Sequence, residues 1–252
     1  ARVWPGCGSS AVPAKVCPVS SMPLTEHLLL IFAAFLLDLW LGDPLYRLHP
    51  IRVLGDWSLA WERLLFRIGW NGRLGGLLHW LLVVAGALAG WWAIRECVGV
   101  LHPWLALVWD LYIAYSLLCL RDLVEHGRRV LARLDDLPAA REQLRWLVGR
   151  DTDRLQQDGL VRATVESLAE NLTDGVLTPL WALCLFGLPG LIVVKAISSL
   201  DSMVGNHTPR YARFGWAGAR SDDLVHWLPA RCSVLLIALA AWLLRLHPRL
   251  AV

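Results

Sequence analysis

The sequence predicts an all-α, polytopic integral membrane protein with amphipathic cytoplasmic helices and a re-entrant helical hairpin. Three observations lead there. Hydrophobic residues make up 56% of the 252 positions, and 15 of them are Trp, a balance too apolar for an ordinary soluble domain. Apolar runs at 24–41, 74–94, 103–120, 176–194 and 232–246 approach the about 20 residues that a spanning helix needs, the last being short. Charge is segregated between these runs. Nine Arg lie at 121–162 and five at 47–73, whereas the link after the second run offers only Arg95. The positive-inside rule puts both Arg-rich segments in the cytoplasm and the Arg95 link outside.

The elements follow in chain order. Residues 1–21 are rich in Pro, Gly, Ser and Cys and lack periodicity, so they read as a non-native or mis-started extension ahead of Met22. Residues 22–252 then form one membrane-embedded domain. The first run does not read as an obvious cleaved signal, because no small-residue cleavage site follows it and Asp38 interrupts its end. Trp57, Trp61, Trp70, Trp91, Trp92 and Trp104 stand near the ends of runs, as an interfacial belt would.

Between the third and fourth runs the periodicity is helical but amphipathic. Leu120, Leu123, Gly127, Leu131 and Leu134 make one stripe; Asp135-Asp136-Leu137-Pro138 stops and restarts the helix; Leu144, Leu147 and Val148 continue to Gly149. Asp151 or Thr152 is placed to cap the next helix. These helices are expected to roof a site at the cytoplasmic ends of the spans.

The segment 165–175, V-E-S-L-A-E-N-L-T-D-G, carries the chemistry most plainly. Glu166, Glu170 and Asp174 follow one another at i, i+4, i+8, drifting about 40° per step on a helix. Arg162 begins the row, and Val161, Val165, Leu168 and Leu172 define the opposite, apolar face. Spacing alone fits a solvated face, since like charges at i, i+4 cost only a few tenths of a kcal/mol. Position favours function: an acidic row at the mouth of a membrane segment suits magnesium or an amine.

Lys195 and Asp38 are costly inside a span, about 2.5–3.5 kcal/mol on insertion scales. On a helix Lys195 shares a face with Ser198, Ser199 and Ser202. The fourth run is broken by Gly187-Leu188-Pro189-Gly190 into halves of about 15 Å, half the hydrocarbon thickness. The following segment, through Arg231, also carries Arg210, Arg213 and Arg220. A single crossing would put those arginines outside, so a re-entrant hairpin with Lys195 on its returning arm is expected.

Several classes fall away. Taken to Asp174, the Arg-rich loop from Arg121 carries 11 acids against nine arginines, so no nucleic acid is expected as a partner. The six cysteines contain no C-x-x-C pair, which points to neither zinc nor disulfides. G-A-L-A-G at 86–90 reads as ordinary span packing. A transporter or channel subunit, or a metal-dependent membrane phosphotransferase, stays open on the residues alone.

Taken in order, D-L-W-L-G-D-P with H-P-I-R-V-L-G, V-G-R-D-T, R-A-T-V-E-S-L-A-E-N-L-T-D-G-V-L-T-P-L, L-D-S-M-V-G, and A-R-S-D-D-L with L-P-A-R resemble the CobD/CbiB family of cobalamin biosynthesis, the membrane-bound adenosylcobinamide-phosphate synthases. The resemblance implies ATP-dependent amide formation between aminopropanol, or its O-phosphate, and a propionate carboxyl of adenosylcobyric acid. ATP and magnesium follow as cofactors, and the corrinoid, the amine, membrane lipid and other cobalamin-pathway enzymes as partners. The expected location is the inner membrane, with the site facing the cytoplasm.

Carried over by position, Glu166, Glu170, Asp174, Lys195 and Asp201 are the catalytic candidates, the first three also as metal ligands. Asp43, His49, Arg52, Arg150, Asp151, Arg162, Asn171, Asp222, Asp223 and Arg231 are the substrate-binding candidates. The chain has neither G-x-x-x-x-G-K-[ST] nor G-x-G-x-x-G, so ATP must be held without either loop. It departs from the family at Ser198-Ser199, where asparagine-threonine is expected, and at Asn206-His207, where tyrosine-lysine is expected. It also stops one loop and membrane segment short, which reads as C-terminal truncation.

Overall fold

A computed structural model describes residues 23–44, 46–148, 152–206 and 208–245. The regular structure of the described residues is all helical, with no strand. In order they form α1 (Leu24–Leu41), α2 (Pro50–Arg67), α3 (Arg73–Leu101), α4 (Pro103–Ser116), α5 (Leu120–Leu131), α6 (Leu137–Arg145), α7 (Gln157–Leu172), a π turn (Thr173–Leu177), α8 (Thr178–Val204) and α9 (Trp216–Leu243). Five helical stretches are long and apolar enough to cross a membrane: Leu24–Leu41, Arg73–Leu101, Pro103–Leu131, Gln157–Val204 and Trp216–Leu243. They display large apolar side chains outward, among them Leu29, Phe32 and Trp40 on α1 and Leu235, Trp242 and Leu243 on α9. That is the surface a lipid solvent favours.

The fourth stretch turns back on itself at Gly187, whose φ of 67° and ψ of −162° interrupt α8. Only glycine adopts that backbone readily. After the turn Gly190 comes so close to the first arm that an added Cβ would stand 2.8 Å from the Ala182 carbonyl oxygen and 2.4 Å from Phe186 Cβ. In a straight helix residues 182 and 190 would be about 12 Å apart. The expected hairpin is therefore present, and Gly187 and Gly190 make it.

The hairpin is the centre of the bundle. Leu183, Leu188, Leu191 and Ile192 pack with Leu30 and Ala34 of α1, Trp91 of α3, and Ile113, Ala114, Leu117 and Leu118 around α4. Further along the returning arm Ala196, Ile197 and Leu200 meet Val83 and Val84 of α3. A second, smaller core joins α5, α6 and α7 through Val130, Ala140, Leu144, Leu160 and Ala163. Asp136 caps α6, accepting from the Ala139 amide at 3.3 Å, with Pro138 in the first turn as expected.

Several expectations are corrected. Arg95 does not lie in a loop: α3 continues to Leu101, and Arg95 is buried against Asp110 of α4, Nε to Oδ2 2.9 Å. Trp91 is core, not belt, and donates to Asp110 Oδ1 at 3.0 Å. The fifth span begins at Trp216, so Arg220 and Arg231 are on α9. Thr152 caps no helix; its hydroxyl donates to the Arg141 carbonyl at 3.2 Å, and α7 starts five residues later at Gln157. On α5 the buried positions are Gly127 and Val130, while Leu131 is exposed. Asp38 meets its cost by pairing: it is buried, and its Oδ2 accepts from the Leu120 amide at 2.9 Å, closing the start of α5. The extension at 1–21 lies outside the described residues.

Candidate functional site

A cavity of about 950 Å³ opens where the α1–α2 loop, α7, the π turn, the returning arm of α8 and the start of α9 converge. Asp43, His49, Arg52, Glu166, Glu170, Asn171, Asp174, Lys195, Asp201 and Asp222 all line it. These ten come from four separated segments of sequence, and the hairpin is what unites them. Asp174 and Asp201 are 27 residues apart, about 40 Å in a straight helix, yet they share one cavity. Leu147 and Val148 close it from the α5–α7 side, as the expected roof.

Each side chain has a local reason for its place. His49 is the N-cap of α2, with Nδ1 accepting from the Ile51 amide at 3.4 Å, and Pro50 follows it. That use of Nδ1 leaves the proton on Nε2, which lies 2.7 Å from Asp43 Oδ1. Burial pushes the Asp43 carboxyl above the usual carboxylate range, and the His49 and Lys195 charges act against that. Tyr46 lies edge-on to His49 at 5.2 Å and shares a 2.6 Å hydroxyl contact with Tyr112 of α4, anchoring the loop.

The buried face of α7 is Leu160, Ala163, Thr164 and Ser167, rotated from the expected Val161, Val165, Leu168 and Leu172 row. Small and hydroxyl side chains can be buried there because the hydroxyls find acceptors: Thr164 donates to the Leu160 carbonyl at 2.7 Å, and Ser167 to that of Leu147 at 3.0 Å. Val165 is exposed instead. The rotation brings Glu166 and Glu170 to the border of the buried face, where they line the cavity at its solvent-exposed rim.

The ladder then breaks at the π turn, which inserts an extra residue per turn across Thr173–Leu177. Asp174 leaves the row and approaches α9, its Oδ1 lying 3.6 Å from His226 Nε2. On the other side His226 Nδ1 is 3.3 Å from Asp222 Oδ1 and 3.0 Å from the Asp222 carbonyl oxygen. A buried imidazole thus sits between two cavity-lining carboxylates. His226 was not singled out from the sequence, although the i, i+4 spacing of Asp222 and His226 in S-D-D-L-V-H was readable there.

Three nominated residues lie elsewhere. Arg162 is 82% exposed and pairs with Glu166 at 2.9 Å. Asp223 faces Arg220 from 3.9 Å on the outer side of α9. Arg231 stacks over Trp227 at 4.0 Å and donates to its carbonyl at 2.6 Å. All three are helix-surface residues, and helical spacing sends them away from the neighbours that line the cavity. Arg150, Asp151 and His207 lie outside the described residues.

Six carboxylates line the cavity against two permanent cations, Arg52 and Lys195. Such a wall attracts a cation, an ammonium or a metal ion. Among the described residues, however, no three His, Cys, Asp or Glu side chains converge on one point. Glu166, Glu170 and Asp174 therefore form no closed metal cage, because i, i+4, i+8 spacing strings them along the axis and the π turn diverts the last. Magnesium sites that also engage substrate phosphates need only one or two carboxylates.

The comparisons with known proteins extend this picture over nearly the whole chain. The family model described as CobD/Cbib protein matches residues 31–250. The chain belongs to the CobD/CbiB family. It is 42% identical over 228 residues to the Cobalamin biosynthesis protein CobD of Photorhabdus laumondii, covering 87% of this chain and 70% of that protein. It is 41% identical to the CobD of Geobacter metallireducens over 229 residues, covering 90% and 72%. With the Cobalamin biosynthesis protein CbiB of Salmonella typhimurium it shares 37% over 218 residues, covering 84% and 68%. No solved structure matches. Within this CobD/CbiB chain, the family-like blocks D-P…H-P-I-R, E-S-L-A-E-N-L-T-D-G, L-D-S-M and S-D-D-L are the ones that meet at the cavity.

Proposed function

We propose that this cobalamin-biosynthesis family member joins aminopropanol, or its O-phosphate, to a propionate carboxyl of adenosylcobyric acid with consumption of ATP. It would work in the inner membrane, with its cavity open to the cytoplasm. The observation that carries the reading is the gathering of four distant family-like blocks around one acidic cavity. Amide formation needs a deprotonated amine, an activated carboxylate and neutralised phosphate charge.

The lining supplies groups for each need. Asp174, Asp201 and Asp222 would receive the ammonium and accept its proton, His226 holding the first and last in place. Lys195, with Ser198 and Ser199 beside it on the wall, would steady the carboxylate oxygen that gains charge. Arg52 would face phosphate. Asp222 Oδ1 is buried without a well-formed hydrogen bond, and such an oxygen has a lone pair to offer a cation or an ammonium. Glu170 and Asp174 would hold magnesium, since Glu166 is engaged by Arg162; a bound magnesium would supply positive charge against the phosphates.

The test is corrinoid analysis by mass spectrometry on membranes containing the chain, supplied with adenosylcobyric acid, aminopropanol phosphate, ATP and magnesium. Product from the parent and none from Glu170→Gln supports the ligase and its acidic wall. An equal yield from both removes Glu170 from the site. No product from either the parent or a C-terminally extended chain overturns the assignment.

A further inference from the structure

A second cavity, of about 760 Å³, lies behind the first between α2, α3, α4 and the returning arm of α8. Its walls are apolar and aromatic, with Val53, Trp57, Trp109 and Ile192 among them. Several of its residues are also open to the surroundings: Leu48 is 75% exposed, and Val53, Trp57 and Ile94 are each more than two-fifths exposed. The α3 side of this opening belongs to a helix long and apolar enough to span a bilayer. The cavity therefore opens beside the apolar flank of a helix of spanning length. A void of this size in contact with lipid gains dispersion contacts when a chain enters it and loses none to water.

Lys195 is the one charged side chain on that apolar wall, and it also lines the acidic cavity, so it marks the junction of the two. No described carboxylate forms an ion pair with it, although its charge reaches Asp43. An ammonium at the end of a hydrocarbon pocket is compensated best by an anion attached to a hydrocarbon chain. We infer that this cavity binds an anionic phospholipid, with one acyl chain between α2 and α3 and its phosphate against Lys195. The proposal shares Lys195 with the ligase reading but does not rest on it, because it is read by lipid retention rather than by activity.

Native mass spectrometry of the purified protein decides it, after mixing with equal amounts of phosphatidylglycerol and phosphatidylcholine of identical chains. The parent should retain one phospholipid and prefer phosphatidylglycerol about tenfold. Lys195→Met should keep a bound lipid but bring the preference to parity. Gly90 borders the cavity with open space at its Cβ position, so Gly90→Phe should fill the pocket and abolish retention without lowering the unfolding temperature. Val53→Trp does the same from the α2 wall. Retention of both lipids equally by the parent, retention of none, an undiminished preference in Lys195→Met, or retention by folded Gly90→Phe would each overturn the proposal. Should both filling variants unfold, the parent and Lys195→Met decide it between them.

Discussion

Two clusters of charged side chains in this bundle, one buried and one at the cavity edge, use the same chemistry and reach opposite outcomes. Between α3 and α4, Asp110 is fully buried and both its oxygens are bonded, Oδ1 by Trp91 Nε1 at 3.0 Å and Oδ2 by Arg95 Nε at 2.9 Å. Neither Arg95 nor Asp110 lines either cavity. Between the π turn and α9, His226 stands 3.6 Å from Asp174 and 3.3 Å from Asp222, and both acids line the cavity. There Asp222 Oδ1 and His226 Nε2 lack well-formed hydrogen bonds. A satisfied pair holds helices together, whereas a cluster with unspent donors and acceptors beside a cavity is available to a ligand.

Substitutions can break that contrast, and the largest effect is expected at the satisfied pair. Asp110→Ala should destabilise the protein by about 3–5 kcal/mol, because it removes the buried carboxylate that faces Arg95 and leaves the longer contact to the exposed Glu96 as its carboxylate partner. Denaturant or thermal unfolding in detergent measures this; a change as small as that of a surface mutation would mean that the pair is not buried in the membrane-embedded protein. At the unsatisfied cluster the expectation reverses. Asp222→Asn should lower product formation about a hundredfold or more through loss of a proton acceptor, with an unfolding temperature close to that of the parent. If it unfolds the protein instead, the cluster is structural and the contrast fails.

The hairpin on which the cavity depends gives a smaller effect. Gly187→Ala forces a side chain into a backbone region that only glycine occupies readily, at a cost of about 1–3 kcal/mol. It should lower stability and product formation together, since both the core and the cavity require the turn. Reporter fusions after Ser167 and Gly215 should report the same side of the membrane; opposite sides would contradict the re-entrant reading.

A pH series sharpens the comparison from the loop side. Burial raises the Asp43 carboxyl above its unfolded value, so the folded state binds the proton more tightly. This group's penalty is absent below the ordinary carboxylate range and grows as pH rises toward the raised folded value. Asp43→Asn should flatten that decline in unfolding temperature between about pH 4 and the raised value, and His49→Ala should extend it upward. An unchanged profile in both variants would show that Asp43 is not desolvated. The smallest effect belongs to the exposed pairs of α6: Arg145 reaches Glu142 and Asp153 on the surface, and Arg145→Ala should change stability by less than about 1 kcal/mol.

Much of the architecture was legible because hydrocarbon imposes a simple code. A span must be helical, apolar and long, so the spanning stretches follow from composition along the chain apart from the extents of α3 and α9, whereas the amphipathic α2 was not read from it. The α3 boundary was misplaced because Arg95 reads as a loop residue until Asp110, 15 positions further on, is known to face it, a pairing that no local pattern encodes. The α7 face was misjudged for a related reason. Apolar periodicity favours Val161 and Val165, but buried hydroxyls of Thr164 and Ser167 are acceptable once carbonyls receive them.

The sequence by itself determined the helical membrane class, the break at Gly187, the acidic ladder and the family-like blocks, because these depend on local spacing and on transfer from water to lipid. Only the tertiary structure decided which acids share a cavity, that the π turn diverts Asp174 from the ladder to His226, and that Arg162, Asp223 and Arg231 stand outside. Those outcomes depend on how the hairpin reverses direction and how far each helix rotates about its axis. Contacts between residues tens of positions apart set both, and no local period records them.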